Sequence, residues 1–166
     1  MVYKLLNYLD KTLGVGRAKA HCDIPCGIYD PIVAQIYALT VVRMVDLMQK
    51  LADETIDKDL EYHNKLSRLI AVKEEHAEKC KHEVRVIFGD YIKKNHVEQF
   101  PDFPYVFHKI MQYGSKSRQT ANRDNALALL DEVNQFAELF WKTKKIDTKK
   151  AKAPYPPGLD LVYPVL

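Results

Sequence analysis

From residue 32 to residue 144 the apolar side chains return every three or four positions, the period of helices that bury one face. The first such stretch follows Asp30-Pro31, a good N-cap and a good first helical residue. It carries Val33, Ile36, Tyr37, Thr40, Val41, Met44, Met48 and Leu51, read as its buried face, and residues 53–57 form a polar connection. A second helix is predicted from about Asp57 to Lys93, with room for an irregular stretch. Its stripe is Leu66, Leu69, Ile70, Ala77, Cys80, Val84, Ile87 and Tyr91. Residues 95–104 break the pattern, because Pro101 and Pro104 flank Asp102 and Phe103. A third helix is predicted over Tyr105–Gln112 with Val106, Phe107, Ile110 and Met111 inward, then a loop from Gly114 through Arg123. The fourth spans about Asn125–Lys144 on Ala126, Leu129, Leu130, Val133, Phe136, Phe140 and Trp141. Lys142, Lys144 and Lys145 near its end complement the helix dipole. Four amphipathic helices with short connections predict an all-α, up-down four-helix bundle.

The two ends of the chain read differently. In residues 1–20, Tyr3, Leu5, Leu6, Leu9 and Leu13 make a short apolar helical stripe that Gly14 and Gly16 break. Ala18-Lys19-Ala20 imitates a secretory cleavage site, but Lys4, Asn7, Asp10 and Lys11 interrupt the apolar run that a signal peptide requires. This segment is read as a propeptide; the plainer reading is a surface helix that stays attached. Residues 146–166 hold Pro154, Pro156, Pro157 and Pro164, which exclude helix, among Tyr155, Leu159, Leu161, Val162, Tyr163 and Leu166. So apolar an extended tail predicts docking, on its own bundle or on a neighbouring subunit.

Composition narrows the function classes. A chain of 166 residues is one domain with a proper core. Its formal charge of +3 belongs to the leader, where Lys4, Lys11, Arg17 and Lys19 outnumber Asp10; residues 21–166 are balanced and do not suggest nucleic acid. No run suggests a membrane partner. Three cysteines do not make a disulfide framework, which points to a reducing, cytoplasmic compartment.

The chemistry gathers in one string: His21-Cys22-Asp23-Ile24-Pro25-Cys26-Gly27-Ile28-Tyr29-Asp30-Pro31. Ile24-Pro25 biases the chain toward a turn and Gly27 permits backbone angles other residues resist, so both thiols can curl toward one point. With residues 1–20 attached, the His21 nitrogen is an amide and a poor ligand. Cleavage after Ala20 gives it a free α-amine. That amine, the Cys22 amide nitrogen and the Cys22 thiolate can then close two fused five-membered chelate rings, and the Cys26 thiolate completes a plane. The His21 imidazole is left to approach along the axis. Square-planar nitrogen and sulfur donors favour Ni(II) or Cu(II) over zinc. Cys80 reads as a small core residue, and His63, His76 and His82 are too irregularly spaced to form a site on one helix face.

This string resembles the nickel hook of the nickel-containing superoxide dismutases, with nine identities in eleven positions. The likeness covers about residues 21–145: His82 to Tyr91, followed by Lys93, looks like the family's second-helix end, and Phe140-Trp141-Lys142-Thr143-Lys144-Lys145 like its C-terminal signature. The resemblance implies a four-helix bundle with an N-terminal metal-binding hook, assembled as a homohexamer, with one nickel ion per subunit. It also implies a protease that removes residues 1–20, and dismutation of superoxide by Ni(II)/Ni(III) cycling. His21, Cys22 and Cys26 are the implied metal ligands. Tyr29 becomes a gate over the open axial position, Asp23 a group that orders the hook, Tyr91 a pocket wall and Lys93 an attractor for the anion. Plainer readings stand beside these: Tyr29 as a staple onto the bundle, and Lys93 as a solvated lysine. Two positions depart from the family pattern, Tyr37 where a Glu is usual and His76 where an Arg is usual. That pair orients the axial histidine, so Tyr37 is expected to hydrogen-bond the His21 ring and His76 to hydrogen-bond Tyr37. From the residues alone three other readings stay open: a nickel-binding protein that does not cycle its metal, a Cys22–Cys26 thiol–disulfide couple, and a zinc site completed by a distant histidine.

Overall fold

The computed structural model describes residues 27–166. Helices α1 (Ile32–Glu54), α2 (Leu60–Val86), α4 (Phe103–Gln119) and α5 (Arg123–Thr143) form the bundle. Each packs on the next in this order and α5 closes on α1. The shared core includes Ala38, Val42, Ala77, Cys80, Val84, Phe103, Ile110, Leu129, Phe136 and Phe140.

Several boundaries differ from expectation, each for a local reason. The π-helical turn Ile87–Tyr91, closed by the Ile92 N–H donating to the Ile87 carbonyl at 3.2 Å, is the irregular stretch of the second helix. A short helix α3 (Lys94–Gln99) occupies part of the predicted break. Helix α4 starts at Phe103, because a proline in the first turn removes only an N–H that has no partner in the helix. It also runs on through Gly114 to Gln119, where a loop is predicted. A Cβ at Gly114 would lie 2.7 Å from Lys81 Cγ and Cδ, so the glycine lets α4 approach the Lys81 stem of α2.

Helix α1 buries a face rotated from the one predicted, sharing only Val41 and Met48 with it. Ala34, Ala38, Val41, Val42, Val45 and Met48 turn inward, while Val33 and Ile36 remain 39% and 40% exposed. Apolar residues lie on both sides of this helix, and the small alanines allow the closest packing. By length and composition α1 is apolar enough to cross a membrane. Its buried face within the bundle is that of a core helix.

The C-terminal tail forms an antiparallel hairpin, β1 (Thr148–Lys152) with β2 (Asp160–Pro164), that docks on the chain's own bundle. Leu161 and Val162 are buried against α5 and α1. The buried Gln35 amide grips the Val162 backbone twice: Nε2 donates to the carbonyl at 3.0 Å, and Oε1 accepts from the N–H at 2.7 Å.

Candidate metal centre

The described part of the hook is its anchorage. Gly27 adopts φ +71°, a left-handed angle that favours glycine. The helix cap position falls on Pro31, one residue past the predicted Asp30, and the Gln35 N–H closes the first turn on the Pro31 carbonyl at 3.1 Å; Asp30 still holds the helix start, its Oδ1 accepting the Ile32 N–H at 2.8 Å. The chain therefore leaves a rigid helix end just after Tyr29. His21, Cys22, Asp23 and Cys26 lie outside the described residues.

Tyr29 meets Tyr91 with ring centroids 5.6 Å apart, as their assignment to one pocket requires. Tyr91 ends the π turn, which adds a residue to the helical repeat and swings this ring toward α1 and α5. Its ring packs on Phe140 at 5.0 Å and stacks on His96 at 5.3 Å. The Tyr91 hydroxyl lies 2.8 Å from Thr143 Oγ1. Because that threonine donates its own proton to the Phe140 carbonyl at 2.7 Å, Tyr91 is the donor. Lys144 Nζ sits 4.7 Å from the Tyr91 ring centroid, a cation–π contact. Lys93 is exposed, with Nζ donating to the Asp90 carbonyl at 2.6 Å. His96, Thr143 and Lys144 join this cluster without having been singled out as site residues. Their sequence separations from Tyr91 give no periodic signal, since a π turn and a separate helix intervene.

Tyr37 and His76 do come together, but not through the expected hydrogen bond. Their rings meet edge to face at 5.5 Å, and His76 Nδ1 donates to the Val72 carbonyl at 2.8 Å. The Nδ1 proton is thus committed, which leaves Nε2 as the acceptor of the neutral ring. Fifteen residues separate His76 from Tyr91, about 22 Å of helix. Within one chain the two pairs are distinct places.

The described residues bear on the metal through the donors they withhold. Cys80 is fully buried in the apolar core, and burial pushes its thiol up to about 12, so it stays a protonated core thiol. No group of three or more His, Cys, Asp and Glu suited to a metal occurs among the described residues. Apart from Cys80, the sequence offers only Cys22 and Cys26 as thiolate donors.

Comparison with known proteins agrees. The family model described as nickel-containing superoxide dismutase matches residues 16–144. The chain is 32% identical to superoxide dismutase [Ni] of Streptomyces seoulensis over 129 residues, 78% of this chain and 92% of that protein. It is also 32% identical to the corresponding protein of Streptomyces coelicolor, over 76% of this chain and 89% of the other. Among solved structures, native nickel superoxide dismutase aligns with a TM-score of 0.65 and 31% identity, covering 75% of this chain and 99% of that one. A helical bundle matched over three quarters of the chain by such proteins, and a family match over residues 16–144, place this chain in the nickel-containing superoxide dismutase family.

Proposed function

We propose that this chain dismutates superoxide at one nickel ion per subunit, held by the His21 amine and imidazole, the Cys22 amide and thiolate, and the Cys26 thiolate. The observation that carries this assignment is the contiguous donor string on a capped, rigid helix start, with the third cysteine buried as a neutral thiol. When bound, nickel supplies one-electron Ni(II)/Ni(III) chemistry, by which two superoxide ions and two protons become dioxygen and hydrogen peroxide.

The chain's own residues supply the rest. The thiols and the amide must lose protons to bind, so loading weakens in acid. Asp23 helps order the hook. Tyr29, braced by Tyr91, gates access from the side of the helix end. Lys93 and Lys144 place two positive charges near this cluster, and a local positive charge raises the encounter rate of an anion even where residues 21–166 are balanced overall. Tyr37 and His76 stand where the family usually has the charged pair that orients the His21 ring; that exchange would alter the metal's potential or the occupancy of the His21 imidazole.

Two thiolates suit a reducing, cytoplasmic setting. The second apolar stripe of α1, with Val33 and Ile36 half exposed, supports assembly into a homohexamer that shields the hooks. A processing protease must first release His21 from residues 1–20. The test is mass spectrometry and metal analysis of protein from its natural source: active enzyme should begin at His21 and carry one nickel. Full dismutase activity in a chain that retains its leader, or one loaded with zinc or no metal, defeats the assignment.

A further inference from the structure

We propose that the C-terminal hairpin is a positioning element for the redox site, acting through Gln35; this rests on the nickel assignment above. The family match stops at residue 144, before the hairpin begins, so the helical bundle alone does not account for it. Its placement is specific. Gln35 lies in the first turn of α1, where its N–H holds the Pro31 carbonyl, and its side chain is fully buried in the paired grip on Val162. The other side of the hairpin is fixed to α5: Asn134 Nδ2 donates to the Asp160 carbonyl at 2.9 Å, and Lys150 pairs with Glu138 at 3.1 Å. Helix α5 ends at Thr143, the acceptor for Tyr91.

The hairpin therefore ties the helix end that launches the hook to the C-terminal half of α5, whose last residue, Thr143, holds the pocket wall. Cys26 precedes Pro31 by only five residues. A tilt of the first turn of α1 is passed to Tyr29, two residues before Pro31, and so to the point from which the ligand string departs. Both polar atoms of the Gln35 amide are spent on the Val162 backbone, so it is a positioning residue.

The test compares the leader-free, nickel-loaded parent with Gln35→Ala, and with a chain ending at residue 146. Hydrogen exchange first shows whether the first turn of α1, and in Gln35→Ala also β2, has loosened while the Ala77–Val84 segment stays protected. In a variant that meets this condition, the rhombic Ni(III) EPR signal should broaden or shift its g-values, and kcat should fall roughly tenfold at unchanged nickel content. If the truncated chain does not fold, Gln35→Ala alone decides the matter. A loosened hairpin with an EPR spectrum and kcat equal to the parent's overturns the positioning role and leaves the nickel assignment intact. A parent with neither nickel nor activity overturns both.

Discussion

Cys80 and Lys73 are both buried, and they meet the cost differently. Cys80 stays neutral, because desolvation raises its thiol from 9.0 to about 12. Its folded value exceeds its unfolded one, so its contribution is complete below about pH 9 and is lost as pH rises toward 12. Cys80→Ala should flatten the fall in stability between about pH 8 and pH 10.5, as read by urea unfolding at each pH. Lys73 is only 3% exposed, and burial lowers its pKa, yet Nζ donates to the carbonyls of Ser117, Arg118 and Thr120 at 2.7–2.8 Å. These are the carbonyls that the end of α4 leaves without helical partners, so a lysine of α2 caps another helix. Lys73→Met should cost about 3 kcal/mol in chemical denaturation, since it strands three acceptors together. Neither role can be read from composition: Cys80 lay on a predicted apolar stripe, but the partners of Lys73 stand 44 to 47 residues away.

At the scale of the element, the start of α1 matters most. Asp30→Ala removes the bond to the Ile32 N–H and should lower stability by about 1 kcal/mol, measured by thermal unfolding. This bond was legible because the side chain and the N–H it holds are neighbours in the chain, although the cap position itself lies one residue later. The hook was legible for the same reason: its donors form one contiguous string. Where the information is not local, the reading failed. Gly114 looked like a helix breaker until Lys81 was found beside it. Val33 and Ile36 looked buried because periodicity finds an apolar stripe but cannot choose between two on one helix. The hairpin was legible only as an apolar tail in search of a surface; the grip that locates it joins residues 127 positions apart.

At the scale of the whole molecule, the second stripe of α1 bears on assembly. Half-exposed Val33 and Ile36, with Ile28 at 81% exposure nearby in sequence, leave apolar surface at the end where the hook departs. A charge on that stripe should block association between copies without unfolding the bundle. In the homohexamer proposed above, Ile36→Glu should shift the assembly to smaller species in light scattering, with unchanged helix content by circular dichroism. A variant that still forms hexamers would place the subunit contacts on another face.

The hairpin is a ribbon of two strands, and such a ribbon has bare edges that invite the same segment of another molecule to add on. Here β1 carries Lys149, Lys150 and Lys152, and β2 ends on Pro164. Like charges repel an approaching copy, and the proline lacks the N–H that a neighbouring strand would need. The appendage can thus lie on the bundle surface at high protein concentration without seeding fibrils.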